Sequence, residues 1–92
     1  MKPIRTFQKD PDSILDYRVD WSEWLQSGEA IVSFVPTVPA GLTASETSFE
    51  FDSCTIWLAG GTATGTYDIG YRIQTNMDRV DERTIRIICV ER

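Results

Sequence analysis

Polar and apolar residues alternate with a period of two along most of this chain, most clearly from Gly65 to Gln74. Tyr67, Ile69, Tyr71 and Ile73 fall on one side of that run, and Thr66, Asp68, Gly70, Arg72 and Gln74 on the other. Successive side chains of a strand point to opposite faces, so this pattern predicts a long strand and is hard to reconcile with a helix. Arg83, Ile85, Ile87 and Cys89 alternate in the same way with Thr84, Arg86, Ile88 and Val90, and Cys54, Ile56 and Leu58 form a third such set. Shorter runs add further strands: Leu15, Tyr17 and Val19; residues 29–35, with Ala30, Val32 and Phe34 on one face; and residues 47–52, with Phe49 and Phe51 inward.

Turn signals separate these runs. Pro36 and Pro39 break the second, Ala59-Gly60-Gly61-Thr62 is a loop, and Thr75-Asn76-Met77-Asp78 reverses the chain. Ser22 stands as an N-cap before Glu23-Trp24-Leu25, enough for one helical turn closed by Gly28. About seven strands punctuated every eight to twelve residues predict an all-β, antiparallel sandwich. Tyr67, entering the penultimate strand after Gly65, stands where an Ig-like sandwich has its tyrosine corner, and Ile69 then takes an inward position. The expected architecture is therefore an Ig-like β-sandwich over residues 13–92. Residues 1–12 lack periodicity, end in Asp10-Pro11-Asp12, and are expected to form an extended N-terminal arm.

Composition narrows the picture. A 92-residue chain needs a dense, aromatic-rich core, and three Trp, four Phe and three Tyr supply one. No run approaches the roughly 18 apolar residues of a membrane span. The N-terminal residues have no apolar stretch behind their charges and do not read as a secretory signal, so the expected site of synthesis and retention is a cytoplasm. The net charge of −5 is uneven. Residues 1–9 carry Lys2, Arg5 and Lys9 without an acid, residues 10–52 carry nine acids against Arg18, and residues 53–92 balance five against five. An acidic body repels polyphosphate, which argues against nucleic acid as a partner. A basic arm ahead of it suits docking on a protein neighbour, while the plain reading is a solvated acidic surface.

Candidate chemistry is sparse. The chain has no His, no G-x-S-x-G elbow, no P-loop and no G-x-G-x-x-G. Cys54 and Cys89 sit in apolar alternating runs and read as small buried hydrophobes; a bridge between them is open in principle, though a cytoplasm would keep them reduced. Asp10, Asp12 and Asp16 are the best calcium candidates, but they lack a Gly-containing ligand loop, and turn capping explains them as well. No cofactor or metal is expected. Trp21 and Trp24 share one face of a short turn and either plug one end of the sandwich or anchor a partner, the plug being the simpler reading. Trp57 is out of phase with Cys54, Ile56 and Leu58 and should point outward, to be covered by the arm, a loop or a neighbour. Cross-strand pairs with Arg72 or Asp68 account for the charges near Asp81 and Arg86. Arg83 is in phase with inward Ile85 and is expected to pair with a rim carboxylate, Asp16 or Asp20.

The order of motifs carries a resemblance. Asp10-Pro11-Asp12-Ser13-Ile14-Leu15-Asp16-Tyr17, Asp20-Trp21-Ser22-Glu23-Trp24-Leu25, Val38-Pro39-Ala40-Gly41-Leu42, Ile56-Trp57-Leu58-Ala59-Gly60-Gly61-Thr62 and Asp81-Glu82-Arg83-Thr84-Ile85-Arg86-Ile87 resemble a family of tailed-bacteriophage virion proteins, the fiber-tail adaptors. The resemblance runs from Lys9 onward and supplies no catalytic residues. It implies an Ig-like virion component, present in several copies, that joins a fiber or appendage to the tail by contacts with tail, fiber or capsid subunits. Assembly in the host bacterial cytoplasm, without nucleic acid or membrane as a partner, follows from the same reading. A head decoration or cement protein and a carbohydrate-binding module of the virion surface are the alternatives. The expected contact residues are Ile4, Arg5, Phe7 and Trp57, with Trp21, Trp24, Tyr67 and Arg83 as structural supports. Removal of residues 1–9 is expected to leave the fold intact and to abolish incorporation.

Overall fold

In the computed structural model, which describes residues 3–91, the strongly alternating runs form the interior strands of two sheets. Seven strands occur among these residues: β1 (Arg5–Lys9), β2 (Leu15–Asp20), β3 (Ile31–Thr37), β4 (Leu42–Phe49), β5 (Ser53–Gly60), β6 (Thr66–Thr75) and β7 (Val80–Cys89). One sheet has the order β1-β7-β6-β3 and the other β2-β5-β4. The β4–β5 and β6–β7 hairpins each stay within one sheet, whereas the connections after β1, β2, β3 and β5 cross between sheets, as in Ig-like sandwiches. All pairings are antiparallel except β1 with β7, which is parallel.

The inward sets predicted from alternation make the core. Cys54, Ile56 and Leu58 of β5 face Ile69, Tyr71 and Ile73 of β6 and Ile85, Ile87 and Cys89 of β7, all buried. Each fully buried Ile or Leu contributes about 1.5–3 kcal/mol. The Tyr71 hydroxyl donates to the Tyr17 carbonyl at 2.8 Å, joining the sheets through the core. Both thiols are free, and burial pushes Cys54 up to about 12, so it behaves as a small apolar side chain. The tyrosine corner is present: the Thr62 N–H donates to the Tyr67 hydroxyl at 3.0 Å. A Cβ at Gly65 would lie 2.7 Å from that oxygen, which is why glycine precedes the strand.

Several local expectations are corrected. Arg5–Lys9, expected in a free arm, is β1 of the sandwich, in register with Ile85–Cys89. Its Lys9 is buried and donates to the carbonyls of Asp10, Ser13 and Gly60 at 2.7–2.9 Å, so the ammonium is saturated by backbone oxygens. Deletion of residues 1–9 would therefore remove an edge strand and is expected to damage the fold. Met1 and Lys2 lie outside the described residues. In β3, a register shift between Ile31 and Ser33 puts Ile31 inside, turns Val32 out and leaves Phe34 stacked on Tyr71, so the expected Ala30-Val32-Phe34 face does not form. The strand expected over residues 47–52 ends at Phe49. Phe51 falls in the following turn and is 63% exposed, while Phe49 ends an edge strand, stays exposed and meets Phe34 in a T-shaped contact. The turn after β2 is capped by Asp20, whose Oδ1 accepts from Ser22 N–H at 2.7 Å, and not by the Ser22 side chain. Trp24 and Leu25 N–H then donate to the Trp21 carbonyl, and Gly28 follows at φ +78°.

Candidate partner-binding face

The end of the sandwich between β2 and β3 is closed by two tryptophans. Trp21 is fully buried, and its Nε1–H donates to Asp81 Oδ2 at 2.9 Å. Arg83 lies 4.9 Å from the Trp21 ring centroid, its Nε 3.4 Å from the same Asp81 carboxylate, and it donates to the Asp20 carbonyl at 3.0 Å. The rim carboxylate is therefore Asp81, and not Asp16 or Asp20 as expected. Asp20 contributes its backbone oxygen and Asp16 takes no part, because the β2–β5 register sets Asp16 opposite Trp57. Trp24, half-buried, carries the Arg79 guanidinium 3.8 Å above its ring. Arg79 Nε donates to Glu29 Oε2 at 2.8 Å, and Glu29 also accepts from Thr75 Oγ1 at 2.6 Å and Gln26 N–H at 2.9 Å. The Arg79 guanidinium, followed by these lesser donors, holds the buried Glu29 carboxyl at about 2 despite its burial. This network ties the β2–β3 connection to the β6–β7 turn.

The outer face of the four-stranded sheet closes on itself as well. Asp68 of β6 pairs with Arg86 of β7 at 2.9 Å, and Arg72 of β6 lies 3.8 Å from Glu82 of β7. The Arg86 guanidinium holds the Asp68 carboxyl below its usual value. These are the cross-strand ion pairs expected from the sequence. A shallow hollow over Gly70, about 330 Å³ and lined by Thr37, Asp68, Glu82 and Thr84, lies on this face. A second hollow of about 310 Å³ lies beside Trp24 and Arg83. Among the described residues no group of three or more His, Cys, Asp or Glu is placed to hold a metal ion, and Asp10 Oδ1 instead accepts from Asp12 N–H in a tight turn.

The outer face of the three-stranded sheet differs. Trp57, in the central strand β5, lies on the outer side, as its phase predicts, because Cys54, Ile56 and Leu58 fill the inner side; it is half-buried there. In register with it stand Asp16 of β2 on one side and Glu46 of β4 on the other, both exposed. A register shift between Ala44 and Glu46 is what brings Glu46 opposite the tryptophan. Arg18, the base of this face, turns to Asp20 at 3.6 Å. Sequence reasoning found Trp57 but missed Asp16 and Glu46 as its neighbours, since strand order and the β4 shift are not readable from one chain.

Of the other expected contact residues, Ile4 is 56% exposed, and its N–H donates to the Thr84 carbonyl at the entrance to β1. Arg5 is exposed and lies 4.9 Å from the Phe7 ring centroid. Phe7 itself packs edge-on against Tyr17 at 5.1 Å and so belongs largely to the domain's own packing.

Two crossed-over sheets with a tyrosine corner define an Ig-like domain, and a solved structure agrees. The solution structure of the PKD domain from KIAA 1837 protein superposes with a TM-score of 0.53 at 16% identity, over 98% of this chain and 82% of that one. That likeness concerns the fold alone. The family model described as podophage GP4 fiber-tail adaptor protein gp77 matches residues 9–88, and the chain belongs to this family. It is thus a phage fiber-tail adaptor of a structural kind, a virion component whose associates are other virion proteins such as tail and fiber. No curated protein matches the chain.

Proposed function

We propose that this chain joins a fiber to the tail through direct protein–protein contacts made by two surfaces of one rigid sandwich. The observation that supports this reading best is Trp57, a half-buried indole at the centre of an outer sheet face over which no described strand lies. Tryptophan on such a face is costly to leave in water and is enriched at the energetic centres of interfaces. The second surface is the β1 edge, where Ile4 and Arg5 present themselves beside an unpaired strand backbone, with Phe7 as the support beneath Arg5. An exposed strand edge invites pairing with another chain. Several copies per particle, assembly in the host bacterial cytoplasm and no direct contact with nucleic acid complete the proposal, the last from the net charge of −5.

The test is complementation of a phage lacking this gene with folded surface variants, counting fibers on purified particles by electron microscopy. Trp57→Ala and the double change Ile4→Asp with Arg5→Glu are each expected to reduce fiber attachment at least about tenfold, the loss that removal of one interface anchor brings. Normal fiber occupancy in both variants, or labelled copies found on the head, would refute the proposal.

A further inference from the structure

Two of the three tryptophans already show how this molecule surrounds an indole. Trp21 has the Asp81 carboxylate on its N–H and the Arg83 guanidinium 4.9 Å from its ring centroid. Trp24 has Arg79 at 3.8 Å over its ring, and that arginine is held by Glu29. Each assembly has three parts: indole, carboxylate and guanidinium. Trp57 has the indole and two carboxylates, Asp16 and Glu46, directly across the ladder on either side. Side chains directly opposite one another in a ladder have their Cβ atoms about 4.5–5.5 Å apart, within reach of one shared ligand group. No guanidinium of the described residues lies over the Trp57 ring, and neither carboxylate has an ion-pair partner among them.

We propose that Trp57, Asp16 and Glu46 form a docking site for an arginine side chain on a basic, extended segment of a different virion protein. This inference rests on the proposed attachment role and names the chemistry of the partner. A guanidinium suits the site better than an ammonium, because its plane stacks on the indole while its forked N–H groups reach carboxylates on both sides. A second copy of this chain does not suit it. Every described arginine but Arg5 is paired with a carboxylate, Lys9 is saturated by three carbonyls, and two bodies of net charge −5 repel one another.

The test is an NMR titration of the intact, isotope-labelled chain. The probes are a short Thr/Val peptide with one central arginine and the same peptide with neutral citrulline in its place. The Trp57 indole N–H resonance, assigned by its loss in Trp57→Phe, is expected to shift with the arginine peptide at millimolar concentration. Binding should weaken about tenfold with citrulline, which loses one stacked cation and two exposed ion pairs, and about fivefold in the Asp16→Asn, Glu46→Gln double variant, which loses the ion pairs alone. No shift with the arginine peptide, or equal affinity for both peptides, overturns the proposal. So does self-association in sedimentation that the double variant abolishes, since a second copy would then be the occupant. Fiber counting separates the two levels of the account. If the double variant attaches fibers normally and Trp57→Ala does not, the face is an interface and its cationic partner is refuted. If Trp57→Ala also attaches fibers normally, this inference falls together with the contact it was built on.

Discussion

The closed end of the sandwich and the outer face of its three-stranded sheet are built from the same side-chain types and behave oppositely. At the closed end, Trp21 and Trp24 are each satisfied within the chain by an arginine and a carboxylate. On the face, Trp57 stands between Asp16 and Glu46 with no described arginine over it. The first arrangement locks loops to strands and stabilises the fold. The second leaves apolar surface and negative charge for another molecule to meet. What sets the second arrangement apart is the indole flanked by two carboxylates directly across the ladder, and the contact proposed above rests on that juxtaposition.

The largest effect that tests this contrast is on stability. Trp21→Ala should cost about 3–5 kcal/mol in urea unfolding, a large part of what a domain this size has, because the indole fills the end of the core. Trp57→Ala, at a half-buried position of a central strand, should cost about 1–2 kcal/mol, clearly less than the loss of the plug. Equal losses would abolish the distinction between plug and platform. Acid titration sharpens it next. The Glu29 carboxyl lies at about 2 against an ordinary 4.5, so its contribution is complete above the ordinary value and is lost as pH falls toward 2. Glu29→Gln should be less stable than the wild type at neutral pH, and the gap should narrow over that acid range; a gap independent of pH would show that the carboxylate's charge is not what clamps the loops. A smaller effect belongs to the tyrosine corner. Tyr67→Phe removes the acceptor of the Thr62 N–H, a bond of about 1 kcal/mol, and should lower the unfolding midpoint without changing fiber attachment. The smallest is expected on the four-stranded face. Arg86→Gln breaks an exposed pair with Asp68 and should shift neither the melting temperature nor attachment measurably. Loss of attachment in that variant would move the binding surface to the wrong sheet.

The interior strands and the edge strand β2 were legible in the sequence; the edges β1, β3 and β4 were missed or read only in part. Ile69, Tyr71 and Ile73, or Cys54, Ile56 and Leu58, lie in strands flanked on both sides, where strict alternation is enforced by burial on one face. Tyr67 was readable because the corner is local, spanning Thr62 to Tyr67. β1 was not, because its five residues are mostly polar and its partner lies some eighty residues away, in parallel register. The phases of Val32 and Phe34 depended on a bulge, and Phe51 on where an edge strand stopped. The outward direction of Trp57 was likewise legible. Its two carboxylates were not, since Asp16 and Glu46 meet only through pairings that join three separate stretches of chain. The rim position of Arg83 follows from its phase, but its acid does not, because Asp81 serves both it and Trp21.

A high-resolution reconstruction of the tail with its fibers attached tests the central claim most directly. The account predicts that the outer face of the β2-β5-β4 sheet is buried against another virion protein, with a guanidinium of that protein over Trp57 and between Asp16 and Glu46. A Trp57 face left open to solvent in the assembled particle, or covered by a neutral or acidic segment, would contradict it.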